Sequence, residues 1–437
     1  MISGNGDDGG TAAALGAAPD LIELRDLLGR LAVQDGAGLS EAVMVGQLTA
    51  MEQLKSALAA AQARITARLA AVRAQADPGR PVGELCRGLG AEVALARQES
   101  PVRGRRHLEL ALVLLREMPH TMAALTRGEI SEWAATLVAR ETAVLSREHR
   151  EQVDAELAGQ LVGAGDGQVA KAARAIGYRL DPGAALRRVR GATTDRRVGL
   201  RPAPDTMTYL TGFLPVAQGV ACQAALAKDA DAKRAAGDPR GRGQIMADTL
   251  VERITGQTKA EGTPVSVGLV VADRTLLGGG QQPGHLHGYG PVPAPVVRDL
   301  VREADQVWLR RLFTSPAGGE LVAMDSQART FEGQLRQFLI IRDQVCRTPW
   351  CDAPIRHLDH VIRASDGGQT SAENGEGLCE ACNYTKESPG WAARHVPGPG
   401  HTAEITTPTG HTHRSRAPDP PGHRYPVRID LTFPSAA

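Results

Sequence analysis

The chain has 437 residues, of which 42% are apolar and only 3% aromatic, and its formal net charge is +1. That is enough length for two or three domains with ordinary cores, and it excludes a chain that stays disordered. A core short of aromatic rings is built from Ala, Leu and Val, which favours closely packed helices, and a near-neutral charge balance offers no overall signature for polyanion binding.

Residues 1–18 have neither a basic segment nor a continuous apolar run and read as a flexible leader. The longest apolar runs, such as Leu110 to Leu115, are far too short to span a bilayer, so the expected setting is cytoplasmic, with no membrane partner. From 19 to 195 the pattern is helical. Leu54, Leu58, Ile65, Leu69 and Val72 follow the rhythm of a long helix from about Ser40 to Ala76, ending before Asp77-Pro78-Gly79. We expect that stripe to face the core of a bundle. A dimerising coiled coil needs more heptads than are visible, and homo-oligomerisation is left open.

From 196 to 337 the character becomes α+β. RRVGLRPAPDTMTYLTGFLP reads as a strand pair around a Pro-containing turn, followed by two helices. PVSVGLVV reads as a buried strand, LLGGGQQPGHLHGYGPVP as a loop, APVVRDLVREAD as a helix and GELVAMD as a strand. The run Gly278-Gly279-Gly280 lacks the Lys-Ser/Thr of a phosphate-binding loop and reads as a turn. A module is expected over 338–395. Residues 396–437, rich in Pro, Gly and His, read as a hairpin turning at Pro408-Thr409-Gly410 and an extended tail; His401, His411 and His413 could form a stray metal site, but exposed strand and loop histidines are the preferred reading.

Within the module, Cys346-x4-Cys351 and Cys379-x2-Cys382 are separated by 27 residues, the spacing of a tetrahedral four-thiolate structural Zn²⁺ site. Such a clamp can order a segment too small to bury a core. Cys86 and Cys222 stand alone and read as buried small hydrophobes in a reducing compartment.

The text CRTPWCDAPIRHLDHVIRASDGGQTSAENGEGLCEACNYTK strongly resembles the HNH endonuclease family over about residues 338–391. The resemblance implies a ββα-metal unit in which HLDHVI is the first strand, Asp366-Gly367-Gly368 the turn and Leu378 to Lys386 the start of the helix. It implies His360 as general base and Asn374 as the residue that holds the loop and so orients the base. Asp359 and Asn383 are then the protein ligands of one divalent cation, Asn383 falling where that family has His or Asn. A carboxylate and an amide oxygen suit Mg²⁺ or Mn²⁺, with Ni²⁺ also admitted, whereas four thiolates suit zinc. Together with MPHTMAALTRGEIS, MADTLVERITG and GYGPVP, the chain resembles, over about residues 30–415, the actinobacterial 13E12-repeat family, or domain of unknown function 222, commonly followed by an HNH unit. That family supplies no catalytic assignment for the helical region.

The partner so implied is DNA. Residues 341–416 carry no excess of basic over acidic side chains. By contrast, Arg187, Arg188, Arg190, Arg196, Arg197 and Arg201 fall close together with Asp195 as the single acid among them. Such a cluster could neutralise several phosphates, or be a solvated set paired with acids of the bundle. Arg363 and Lys386 are placed to touch phosphate or simply to solvate the surface, and His357 lies outside the mapped motif. Two functions of different class stand: a metal-dependent DNA endonuclease, and a non-catalytic, zinc-stapled nucleic-acid-binding or regulatory protein.

Overall fold

The computed structural model describes residues 19–33, 38–258, 269–303, 331–397 and 400–419; the leader, the GELVAMD strand and the tail lie outside them. Helix α1 (Pro19–Ala32) precedes α2 (Glu41–Ala76). Ser40 caps α2, its hydroxyl accepting from the Val43 N–H, and Ser131 and Ser146 likewise cap α6 (Glu132–Glu141) and α7 (Arg147–Leu157). The long helix thus starts and stops where the sequence indicates, but it faces its core differently. Leu54 and Ile65 are 48% and 66% exposed, while Ser56, Ala59, Ala60 and Ala70 are buried.

The alanine face wins because a chain poor in aromatics fills its core by bringing backbones together. Small side chains on α2 admit α4 (Pro101–Glu117) and α5 (Pro119–Thr126) at close range. The same logic holds where α3 (Val82–Ala96) meets α4. A Cβ on Gly104 would lie 2.3 Å from the Gly90 carbonyl oxygen and 2.4 Å from the Ala94 Cβ, so glycine is required there. Leu110, Leu114, Met118, Leu125, Val138, Val153 and Leu157 fill the centre. Beside them, buried Asp154 accepts the His120 and Thr121 N–H groups at 2.7 and 2.9 Å, satisfying orphan donors at the start of α5.

Helices α8 (Asp166–Leu180) and α9 (Pro182–Thr194) lead into an antiparallel ribbon of β1 (Arg197–Pro202) and β2 (Thr208–Phe213), then the paired helices α10 (Val216–Ala235) and α11 (Arg242–Thr255). A small sheet of β3 (Leu269–Val270), β4 (Gly284–Leu286) and β5 (Gly290–Val292) follows, with α12 (Asp273–Leu277) and α13 (Ala294–Glu303). Part of the expected loop is therefore ordered structure, closed by Arg298, which donates to the Thr275 and Gly280 carbonyls. Residues 264–268 of the expected PVSVGLVV strand lie outside the described set.

The C-terminal module opens with α14 (Gly333–Asp343), then β6 (His357–His360), β7 (Gly375–Leu378) and α15 (Glu380–Lys386). Strands β8 (Ala392–Val396), β9 (Thr402–Thr406) and β10 (Thr412–Arg416) form a sheet in the order β10-β9-β8. The expected hairpin is β9–β10. Strand β8 pairs with the other edge of β9, across the compositional boundary at 395/396. The module sits against the helical region through Ala91 and Leu95 of α3, which pack on Trp391 and Ile405. Among the described residues no helix is long and apolar enough to cross a membrane.

Candidate active site and zinc centre

Strands β6 and β7 pair antiparallel with His360 opposite Gly375 and Asp359 opposite Glu376, and α15 crosses beside them. Phe331, Leu335, Leu339 and Ala372 form the apolar support. Asp343, fully buried at the end of α14, accepts the Gly377 N–H at 2.7 Å and holds Arg342 at 2.7 Å. Arg342 in turn donates to the carbonyls of Ala372 and Gly375. The apolar seat of α14 is thereby pinned to β7.

The four cysteines of the sequence pattern converge. Their sulfur atoms all lie within 4.8 Å of one another and are buried, with Cys351 and Cys379 Sγ 3.8 Å apart. Tetrahedral zinc with Zn–S bonds of about 2.3 Å requires sulfur spacings of about 3.8 Å, so the donor set fits that ion. The Cys382 N–H points at the Cys379 sulfur at 3.4 Å, a contact that favours the thiolate a metal needs, while hydrogen bonds among the four sulfurs draw the Cys346 and Cys379 thiols below their ordinary range and push those of Cys351 and Cys382 above it. Cys86 is half-buried, whereas Cys222 is exposed on α10 and not the buried hydrophobe expected.

His360 is 8% exposed, its ring 4.6 Å from that of Phe331, and its Nε2 lies 2.9 Å from the Thr370 hydroxyl. Its backbone N–H donates to Asp359 Oδ1 at 2.8 Å. Asn374 closes the loop between the strands. Its Oδ1 accepts the Ile362 N–H at 2.8 Å, and its Nδ2 donates to the Ile362 and Gln369 carbonyls at 3.0 and 2.9 Å. Gly368 lies inside this clasp, where a Cβ would fall 1.9 Å from the Ile362 oxygen and 2.7 Å from Asn374 Nδ2.

Asn383 lies on α15, one residue after Cys382, and its Oδ1 is buried without a hydrogen-bond partner among the described residues. A buried amide oxygen with an unused lone pair is costly unless something electropositive completes it, and a divalent cation would. Asn383 thus offers one unused oxygen donor, whereas the two Asp359 oxygens meet the His360 N–H at 2.8 Å and Lys386 Nζ at 2.6 Å.

Lys386 is placed unlike a surface phosphate contact. Its side chain is only 6% exposed and its Nζ lies 2.6 Å from Asp359 Oδ2, so it is turned inward. Glu376, Thr370 and Arg342 are site residues that the sequence pattern does not single out. Glu376 carries a recognisable signal, an acid directly across the strand pair from Asp359. Of the arginine cluster, Arg187 pairs with Asp181 at 3.4 Å, Arg197 and Arg201 lie over the rings of Phe213 and Tyr209 at 4.8 and 4.3 Å, and Arg196 donates to the Thr193 carbonyl. The Arg188 side chain is outside the described set. His357 lies near the Tyr384 ring, 6.2 Å away. His401 is not the exposed histidine expected: it is buried, burial drives its pKa down to about 2, and its neutral ring donates from Nε2 to the Glu373 carbonyl.

Comparison with known proteins matches residues 344–388 to the HNH endonuclease model and residues 46–343 to the model described as domain of unknown function (DUF222). The chain is also 28% identical over 375 residues to Uncharacterized protein Rv3776 of Mycobacterium tuberculosis, covering 74% of this chain and 69% of that protein. No solved structure matches. With the long helical region matched to one model and the ββα unit and thiolate cluster to the other, the chain belongs to the DUF222 family and carries an HNH endonuclease domain on the C-terminal side of that region.

Proposed function

We propose that this chain is a metal-dependent endonuclease that hydrolyses DNA phosphodiester bonds. The HNH domain supports a nuclease-type function acting on nucleic acid. The observation that carries the finer reading is a buried imidazole, His360, whose backbone N–H is held by the adjacent Asp359 carboxylate, together with an Asn383 oxygen on α15 that is buried without a hydrogen-bond partner among the described residues. In this reading His360 takes the proton of the attacking water, and Asn374 holds the loop that fixes the imidazole against Phe331 and Thr370. Asp359 and Asn383 hold one divalent cation, Mg²⁺ or Mn²⁺, which supplies positive charge to the phosphate oxygens. The four thiolates hold zinc and order the unit, taking no part in the chemistry.

The upstream region supplies the hold on DNA. Ribbon β1–β2 is exposed along both strands, and among the described residues Arg196, Arg197 and Arg201 form no ion pair. Guanidinium groups stacked on aromatic rings keep their N–H edges for phosphate. The test is supercoiled-plasmid cleavage by the full chain with Mg²⁺, Mn²⁺ or Ni²⁺, set against His360→Ala. Cation-dependent nicking or cutting by the wild type and its loss in the variant support the nuclease. DNA binding without cleavage under every cation would establish the non-catalytic binding protein instead.

A further inference from the structure

Lys386 ends α15, and its ammonium meets three acceptors on the two neighbouring strands. These are Asp359 Oδ2 at 2.6 Å, Glu376 Oε1 at 3.2 Å and the backbone carbonyl of His360. An ammonium has three N–H donors, and these three acceptors account for all of them. The cation of the helix is therefore tied at one point to both β6 and β7. Glu376 is fully buried, its second oxygen has no partner among the described residues, and burial pushes its carboxyl up.

A buried lysine between two carboxylates is an expensive way to hold three elements together, since apolar side chains of the same volume would do so at least as well. What apolar packing could not do is orient a carboxylate. Asp359 has one oxygen on the His360 N–H and the other on Lys386, which fixes the rotation of its side chain and the direction of its remaining lone pairs. Asn383 lies three residues before Lys386 on the same helix, and residues so spaced share a face. The anchoring of Lys386 on Asp359 thereby fixes the rotation of the helical turn that carries Asn383.

We propose that Lys386 is a positioning residue for the divalent-cation site, fixing the orientation of Asp359 and of the turn of α15 that carries Asn383, and holding the His360 backbone in place. This rests on the nuclease reading above. It also assigns Glu376 a purpose, as the buried acceptor on β7 that helps keep the ammonium at this depth.

The experiment is Mn²⁺ titration of the full-length, zinc-loaded chain, followed by electron paramagnetic resonance of the free ion, alongside zinc content and thermal melting. The variants are Lys386→Met combined with Glu376→Gln, which leaves no buried carboxylate unpaired, and Lys386→Arg, which keeps charge and stem but cannot aim three N–H groups at one point. Removing a group that orients a metal ligand typically weakens affinity about 10- to 100-fold, and a loss of at least about tenfold is expected in the double variant, with zinc unchanged. Lys386→Arg should fall between it and the wild type, and serves as the deciding variant if the double variant does not fold. Wild-type or tighter Mn²⁺ affinity in a folded variant would overturn the proposal, leaving Lys386 as a structural tie or a competitor of the ion. Wild-type chain that binds no Mn²⁺ and cuts no DNA would overturn the nuclease reading along with it, whereas normal wild-type binding with unaffected variants removes only the role of Lys386.

Discussion

Thr409, at the turn between β9 and β10, gives both its backbone N–H and its hydroxyl to a single oxygen of Glu92 on α3, at 3.2 and 3.1 Å. The same carboxylate receives Arg73 of α2 at 3.0 Å. One buried acid therefore joins the longest helix of the DUF222 region to the sheet that follows the HNH unit. Glu92→Ala should loosen that joint, leaving buried donors unpaired at about 1–3 kcal/mol. Limited proteolysis is expected to cut near residue 400 sooner in this variant, with α2 and α4 still protected; equal cleavage rates would show that the joint carries little. Residues 330–437 cut free of the rest would also expose Trp391, and are expected to melt lower than the same segment within the full chain.

Zinc should be inseparable from the fold of the module. An unfolded chain cannot present four thiolates tetrahedrally, so binding free energy is folding free energy. Cys379→Ser is expected to lose the metal and make residues 340–391 protease-sensitive while α2 to α8 remain protected. Folded, active protein without zinc by metal analysis would contradict this.

Asn383→Leu should separate stability from cation use. The Oδ1 atom is buried and without a partner among the described residues, so replacing the amide with an apolar group of similar volume removes a desolvated acceptor rather than a hydrogen bond. Melting temperature is expected to hold or rise slightly, while half-maximal cleavage shifts to at least about tenfold higher Mn²⁺, in line with the affinity range seen when a metal site is impaired. A marked loss of thermal stability would argue that Asn383 is structural.

His401 gives a pH dependence with a defined sign. Its folded pKa, about 2, is below the unfolded value, so the unfolded chain binds more protons in acid. The contribution is fully present above about pH 6.5 and is lost as pH falls from there towards 2, by at most about 1.4 kcal/mol per pH unit. Urea melts at pH 7.5 and 5.5 should show a smaller drop for His401→Gln than for wild type; identical drops would place the acid sensitivity elsewhere.

For DNA affinity, neutralising Arg187, Arg188, Arg196 and Arg197 together should weaken binding and flatten the dependence of log K on log salt, by up to about 0.9 for each phosphate no longer neutralised. Arg187, already paired with Asp181, should contribute least when changed alone. Unchanged slopes would make the exposed ribbon a surface for protein rather than nucleic acid.

How far the sequence carries depends on how local the determinant is. The ends of α2 are written in Ser40 and Asp77-Pro78, and the thiolate cluster in two short spacings, because caps and metal pairs are set within a few residues. Which side of α2 is buried is not local. The leucine stripe is the more hydrophobic, yet the alanine face is buried because α4 and α5 approach it closely. Lys386 is hard to place from sequence for the same reason. Its depth follows from Glu376 and Asp359 on two strands, and a lone lysine at a helix end reads as solvated until those acids are placed around it. Strand β8 is equally hidden because its alternation, Ala-Ala-Arg-His-Val, is weak, and pairing with β9 rather than propensity makes it a strand.

The clasp around Gly368 bears on how this site can change over generations. Polar letters can drift to chemically similar ones, as Asn and His exchange at the place of Asn383 in the resembling family. Gly368 has no such neighbour in the genetic alphabet, since even a methyl group would collide with the Ile362 carbonyl and the Asn374 amide. A descendant that keeps His360 and Asn374 but replaces this glycine has therefore lost the loop that Asn374 closes, and its loss would mark a failing site before either of those letters fell.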